Sequence, residues 1–315
     1  VRIKLLHFND LHGRLAVFPR LAGWLRATRQ RHAADPQTVV LAVTAGDESG
    51  GHLSDLLLEH DPTGWGIHPG YRLYTQAGVD LGVVGTHDLE LGSSRLAHAI
   101  AHEARFPLLA ANVTGSPALA ECCHPAAIFV VRGIRIGFIG LTTPAQVRPE
   151  PGGRRVTDPI AAAHNLLPAL RPLCDVLVLV THLGFSLNTR SAVVAAAGDV
   201  ELAAGLPPGA VHLIVGGHTH TALNEGGLNP QNIVNGIPIV QAGKFGQFVG
   251  EVEISVGRAV EVTHARLHAS VELPADETFE RAHVLPLLAQ AATIGRRVLG
   301  AVAPDDDLSA DAVRN

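Results

Sequence analysis

The 315-residue chain has no methionine and only three cysteines, Cys122, Cys123 and Cys174. Three thiols are too few for a disulfide framework, and no CxxC pair is present to build a thiolate zinc site. The vicinal Cys122-Cys123 pair reads as structural, because nothing local would activate either thiol as a nucleophile. No run approaches the roughly 18 apolar residues needed to cross a bilayer. Positive charge is not in surplus either. There are 24 Lys and Arg against 29 Asp and Glu, a formal net charge of -5, so binding to nucleic acid has no electrostatic support. No GxxxxGK[ST] loop exists, which excludes a P-loop, and Gly184-Phe185-Ser186-Leu187-Asn188 misses the nucleophile elbow at its last position. Val1-Arg2-Ile3 runs straight into a strand, so no signal peptide is expected in this chain, and the missing methionine points to a processed or trimmed start.

What the chain does have is apolar material and histidine. The hydrophobic fraction is 47% and the mean hydropathy +0.22, enough for one large core or two small ones. Histidine is abundant, at 18 residues, so many of them must be bystanders. His98 and His102 lie one turn apart on a helix that lacks the HExxH glutamate, and read as a solvated face. His264 and His268, on a late strand, read as surface.

The chain alternates short apolar runs with helical spacing, which implies an α/β fold. Strands are expected at Ile3 to Phe8, Val39 to Val43, Leu81 to Val84, Leu108 to Ala111, Val176 to Val180, Val211 to Val215 and Ile237 to Val240. Hairpins are expected around Arg132-Gly133 and near Gly257. Helices are expected over Leu21 to Arg31, Tyr71 to Ala77, Ser93 to Glu103 with Ser93 or Ser94 as N-cap, Ile160 to Leu170, and Asp276 to about Gly300. A glycine- and proline-rich irregular stretch runs from Ser49 to Gly70, and long loops of that kind are often functional. The tail from Asp305 reads as exposed, and there is no internal repeat.

The chemistry lies just past the strands. Asp10 and His12 follow the first, Asp47 the second, Thr86 and His87 the third. His182 follows the most apolar strand, and His218 and His220 follow Gly216-Gly217. In an extended segment, residues two apart face the same way, so Asp10/His12 and His218/His220 each read as a pair on one side. The alternative for Asn9-Asp10-Leu11-His12-Gly13 is a plain turn. Ligands of open α/β sheets bind beyond the carboxyl ends of the strands. Five buried strands ending in carboxylates and imidazoles are hard to explain by packing. The arrangement suits a two-metal hydrolase, in which ions about 3.5–4 Å apart clamp the attacking and leaving oxygens of a phosphoryl displacement. Asp47 is the natural bridging carboxylate, and a histidine off the metals can protonate the departing oxygen.

These stretches resemble the calcineurin-like metallophosphoesterases, and within them the 5′-nucleotidase branch. The motifs are Asp10-Leu11-His12-Gly13, Gly46-Asp47, Gly85-Thr86-His87-Asp88, Ala111-Asn112-Val113, Thr181-His182-Leu183-Gly184, Gly217-His218-Thr219-His220 and Gln241-Ala242-Gly243, spread over nearly the whole chain. The resemblance implies a four-layer αββα sandwich, two mixed sheets flanked by helices. It implies two divalent metal ions (Mn, Zn or Fe) and a bridging hydroxide. Asp10, His12 and His220 would hold one ion, His182 and His218 the other, with Asp47 shared. His87 would be the catalytic histidine and Glu90 the carboxylate that orients it, where the family usually has Asp. The family's asparagine ligand is replaced by Thr86, a poorer donor for the second metal.

The expected activity is metal-dependent hydrolysis of phosphomonoesters such as nucleotides. The rivals are hydrolysis of cyclic phosphodiesters or sulfur-oxyanion esters, and a metal-binding module impaired at Thr86. The partner is a small-molecule phosphoester, with no nucleic acid and no membrane span. The catalytic domain is expected over 1–272. Residues 273–315 resemble the linker to a substrate-binding domain, absent here, that supplies aromatics and arginines in the family. Family resemblance also implies an extracytoplasmic location.

Overall fold

A computed structural model describes residues 1–59, 66–148, 150, 153–185 and 197–296. The tail from Asp305, the end of the last helical segment, Ser186 to Asn188 and part of the irregular stretch before Gly66 lie outside the described residues.

The strands in chain order are β1 (Arg2–Phe8), β2 (Thr38–Thr44), β3 (Leu81–Val83), β4 (Leu108–Leu109), β5 (Val113–Thr114), β6 (Cys123–His124), β7 (Ala126–Val131) and β8 (Ile134–Thr142). They continue with β9 (Arg155–Val156), β10 (Val176–His182), β11 (Leu213–Val215), β12 (Ile233–Val234), β13 (Ile237–Val240), β14 (Phe248–Val256) and β15 (Val260–Ala269). One sheet has the order β15-β14-β1-β2-β3-β4-β6 and the other β12-β13-β11-β10-β8-β7. In the first, β1, β2, β3, β4 and β6 run parallel, while β14 and β15 complete the sheet antiparallel. In the second, β8, β10, β11 and β13 run parallel.

Side-chain alternation along the strands builds three cores. Ile3, Leu5, Val39, Leu41 and Val43 of the first sheet pack on Phe138, Val176, Val178, Val180 and Leu213 of the second, forming the layer between the sheets. Leu6, Phe8 and Ala42 point the other way, onto Leu21, Trp24, Leu25, Tyr71 and Leu96 of the helices. Leu177, Leu179 and Ile214 likewise point outward to Ala163, Leu167 and Leu202. The result is the expected αββα sandwich. Each fully buried Leu, Val or Phe contributes about 1.5–3 kcal/mol relative to exposure.

The helices keep the expected places with shifted ends. The first spans Phe18–His32, with Pro19 in its first turn and Leu21, Ala22, Trp24, Leu25 and Thr28 on the buried stripe. Another spans Pro69–Ala77 and ends at Gly78 in the left-handed conformation. The N-cap of Ser93–Glu103 is Gly92, not Ser93 or Ser94. Ser93 instead gives its backbone N–H and its hydroxyl to Glu150, at 2.7 and 2.6 Å, so a tertiary partner took the capping group. Pro168 lies inside the Pro159–Leu170 helix, which runs on into a turn of 3-10 helix at Arg171–Leu173. The irregular stretch contains two short helical pieces, Leu53–Asp55 and Leu56–Glu59.

The C-terminal helical run begins at the N-cap Asp276 and passes through a π-helical stretch, Glu280–Val284, into Leu285–Gly295. Phe279, Val284, Leu287 and Ala291 of this run enter the same core as the first helix. Among the described residues no helix is long and apolar enough to cross a membrane.

Candidate metal centre

The carboxyl ends of the parallel strands in both sheets converge on one site. Asp10 and His12 leave β1, Asp47 leaves β2, His182 ends β10, and His218 and His220 follow β11. Asp10, His12, Asp47 and His182 are buried and His218 and His220 half-buried, an unusual environment for ionisable groups.

Their backbone departs from the extended conformation expected for the two pairs. Asp10, His12, Asp47, His218 and His220 all have positive φ, at 53°, 46°, 57°, 80° and 57°. The left-handed region costs an L-residue about 1–2 kcal/mol, and a cluster of such residues marks a site where folding tolerates local strain. The turn reading of Asn9 to Gly13 is therefore correct, and a turn does not exclude a ligand role for Asp10 and His12. The chain folds back on itself at each strand end, and the sharp turn is what aims the side chains inward.

Two straps hold these turns. The Asp10 N–H donates to Gly46 O at 2.9 Å, and the His12 N–H to Asp47 O at 3.1 Å. The His218 N–H donates to Asp10 Oδ2 at 3.0 Å, which ties the second sheet to the first. Glycine is needed where backbone meets backbone. A Cβ on Gly85 would fall 2.1 Å from Asp47 Oδ1, and one on Gly217 2.7 Å from Ala45 O.

The donor atoms form three groups, each within 4.8 Å: Asp10/His12/His220, Asp47/His182/His218 and His12/Asp47/His87. The His12/Asp47/His87 set joins the other two, sharing His12 with the Asp10 group and Asp47 with the His182 group. His12 Nε2 faces His220 Nε2 at 3.1 Å, and His220 Nε2 lies 3.4 Å from Asp10 Oδ1. His182 Nδ1 is 2.7 Å from Ala45 O, so this nitrogen carries the proton that is donated. That fixes the ring and turns Nε2 toward the site, where it is buried, has no aligned hydrogen-bond partner and lies 3.0 Å from Asp47 Oδ2. An imidazole anchored through one nitrogen on a carbonyl with the other turned to the donor cluster is how metal-binding histidines are held. The donor set of carboxylates and imidazoles suits Mn, Fe or Zn, and the residues fit such ions.

Electrostatics follow the same geometry. Burial alone would raise the Asp10 carboxyl, but hydrogen bonds to His12 and His220, the His182 charge and Asn9 hold it well below the usual carboxylate range. Burial also acts against the Asp47 charge, and His182 overcomes it to keep that carboxyl low. Burial works against His182 as well, yet Asp47 and Asp10 lift it to about 10. His218, desolvated and facing His182, is lowered to about 4. Neighbouring groups in one cavity are thus driven apart, a feature concentrated at functional sites.

His87 and Glu90 sit on a short helix, Thr86–Glu90, just past the third strand, where no helix was expected. The helix puts them three residues apart on one face, with His87 Nδ1 at 2.8 Å from Glu90 Oε2. The His87 N–H donates to Asp47 Oδ1 at 2.8 Å. Thr86 Oγ1 donates to Asp47 Oδ2 at 3.4 Å, so its hydroxyl is placed on the carboxylate.

Several supporting residues escaped the sequence reading. Asp88 is fully buried and accepts from the N–H groups of Gly85, Asp47 and Glu48, at 2.9, 3.1 and 3.1 Å. Burial and the Asp47 charge raise its carboxyl to about 6. Asn9 Nδ2 donates to Asp10 Oδ2 at 2.6 Å and to Gly243 O at 2.7 Å. Gln241 Nε2 donates to Gly217 O at 2.7 Å. Phe245, with φ 57°, presses its ring against His12 and His220 at centroid distances of 5.6 and 6.1 Å. The only signal these carried was their place inside short motifs next to the ligands.

The bystander histidines are elsewhere. His98 and His102 stack on each other at 3.9 Å, with His102 exposed. His264 is exposed, but His268 is half-buried against Glu251 at 3.2 Å, a correction to its reading as surface. The vicinal cysteines are free and half-buried.

A family model described as calcineurin-like phosphoesterase matches residues 3–222. A 5′-nucleotidase of Vibrio cholerae is 29% identical over 278 residues, covering 80% of this chain and 48% of that protein. The structure of a 5′-nucleotidase precursor from Thermus thermophilus superposes with a TM-score of 0.74 at 24% identity, covering 95% of this chain and 61% of that one. That of the calcineurin-like phosphoesterase YfkN from Bacillus subtilis gives 0.72 at 19% identity, covering 94% of this chain and 99% of that one. At these identities the solved structures speak to the fold alone. The chain spans about half the length of the curated relatives it matches.

Proposed function

The chain belongs to the calcineurin-like phosphoesterase family, and from that premise we propose that it is a metal-dependent hydrolase of phosphomonoesters, nucleotides among them. The observation that carries this reading is the chain of three donor groups, two of which share Asp47 and two of which share His12. The curated relatives named as 5′-nucleotidases favour a nucleotide as the ester.

Asp10, His12 and His220 would hold one divalent ion, His182 and His218 a second, with Asp47 between them. Bound ions supply a more acidic water and neutralise charge on the phosphoryl oxygens. The residues of the chain do the rest. Water adds at phosphorus, the bond from phosphorus to the alcohol oxygen breaks, and the alcohol leaves as ROH with a proton. His87 would give that proton. Glu90 takes its Nδ1, which orients the ring and leaves Nε2 for the substrate. His87 is 40% exposed at the side chain, on the rim where a substrate arrives. Asp88 does not touch substrate. By gathering the N–H groups of Gly85, Asp47 and Glu48, it fixes the turn that carries the shared carboxylate.

The test is hydrolysis of p-nitrophenyl phosphate by metal-stripped protein titrated with manganese. Saturable activity is expected. Asp47→Asn should lower it by at least about 10²-fold, since the shared ligand orients both halves of the site. Full metal-dependent activity in that variant would sink the assignment.

A further inference from the structure

A cavity of about 390 Å³ adjoins the site, lined by Thr86, Leu89, Glu90, Val147, Arg148 and Arg154 among others. Two of these residues belong to the site itself. Thr86 Oγ1 lies 3.4 Å from Asp47 Oδ2 and Glu90 Oε2 lies 2.8 Å from His87 Nδ1. An ester whose phosphoryl group sits between Asp47 and His87 must send its other side somewhere, and this cavity begins where those two residues end. Its volume falls in the range of small-molecule sites, about 300–1,000 Å³.

The far wall is built rather than incidental. Arg154 is 8% exposed. Its Nη1 donates to Leu89 O at 2.7 Å and pairs with Glu150 Oε2 at 2.9 Å, while Nη2 donates to Arg148 O at 3.2 Å. Glu150 is further satisfied by Ser93. The strand-end helix and the loop of Arg148 are therefore clamped together through one buried guanidinium, whose Nε has no partner. With Glu150 neutralised, the charges left on the lining are Glu90, which is bonded to His87, and Arg148. Arg148 is exposed and has no carboxylate within ion-pair distance among the described residues. Leu89 and Val147 supply apolar surface between them.

We propose that this cavity binds the alcohol portion of the substrate and selects a hydroxylated alcohol that carries a second anionic group. Its hydroxyls face Glu90, which accepts from them, and its anion faces Arg148. This rests on the phosphomonoesterase reading. It adds a selectivity held within the catalytic fold.

The test compares 3-phosphoglycerate with glycerol 3-phosphate on manganese-loaded protein. The two esters differ by a carboxylate in place of a hydroxymethyl group. The wild type should favour the carboxylate in kcat/KM, and Arg148→Ala should lower the ratio of the two by about three- to tenfold, the scale of one charge-assisted contact at a partly exposed site. Calorimetry gives a readout independent of turnover. 3-Phosphoglycerate should bind Arg148→Ala more weakly by the same factor, and glycerol 3-phosphate should bind both proteins alike. An unchanged ratio together with unchanged binding overturns the subsite. If the wild type hydrolyses neither ester nor p-nitrophenyl phosphate, the phosphomonoesterase reading falls. Binding then decides the subsite alone, kept by weaker binding to the variant and overturned by equal binding.

Discussion

Replacing Gly85 by alanine probes the site without substituting any of the proposed ligands. Gly85 has φ -91° and ψ 179°, a conformation that alanine adopts freely, so backbone strain plays no part. The effect is steric. The added methyl would fall 2.1 Å from Asp47 Oδ1, 2.4 Å from Asp47 N and 2.9 Å from Asp47 Cγ. Ordinary van der Waals contact begins near 3.4 Å, so Asp47 and its strand end must retreat by roughly 1 Å. Overpacking of this kind costs about 1–3 kcal/mol of stability. A displacement of about 1 Å in a reacting constellation costs on the order of 10²-fold in rate. Gly85→Ala should therefore fold, lose about 10²-fold in manganese-dependent p-nitrophenyl phosphate hydrolysis, and hold less metal by elemental analysis. Gly257→Ala is the control, because a methyl there meets nothing within 4 Å. Its stability should change by less than about 0.5 kcal/mol, with activity intact. A Gly85→Ala protein with wild-type rate and metal content would refute the placement of Asp47 at the centre of the site.

Three further outcomes are expected. Thr86→Asn exchanges a hydroxyl placed on Asp47 for an amide oxygen of better donor strength, and should tighten manganese binding several-fold in a titration followed by calorimetry; an unchanged affinity would show that position 86 does not contribute to the second metal. Asp88→Asn leaves one oxygen for three backbone donors and should lower urea stability by about 2–3 kcal/mol, with no loss meaning that these hydrogen bonds do not hold the turn. Glu251, hydrogen-bonded to His268 and paired with Lys4, is lowered to about 2, so its stabilisation is full above the ordinary carboxylate range near 4.5 and is lost as pH falls through about 2. Glu251→Gln should thus be less stable than wild type at pH 7 by about 1–2 kcal/mol, allowing for partial exposure of the pair, and the two should converge near pH 2 in urea melts.

Much of the fold was legible because burial writes itself as pattern. The runs at β2, β10 and β13 are largely apolar on both faces, as strands covered on both sides must be, and the intervening helices show the 3.6-residue stripe. The site was legible for the same reason: a carboxylate or imidazole directly after a buried run has nowhere to go but the sheet edge. What misled was local geometry. Asp10/His12 and His218/His220 look like pairs on an extended chain, yet left-handed backbone brings them together instead. Such angles are imposed by partners distant in sequence, such as the Asp10 carboxylate that binds the His218 N–H across 208 residues. The helix at Thr86–Glu90 is too short to show a period, and the Ser93 cap was lost to Glu150, 57 positions away.

The sequence by itself determined the αββα layering and the residue types offered at each strand end, because hydrophobic periodicity and strand-end chemistry are properties of neighbouring residues. Only the tertiary structure decided which donors share a point in space, which ring nitrogen of His182 is free, and that Asp88, Asn9 and Phe245 support the ligands. It alone also decided that a cavity walled by Arg148 and Arg154 opens beside His87 and Glu90. Those contacts join segments as far as 41 to 234 residues apart, and they are set when two sheets pack, a step that no local pattern encodes.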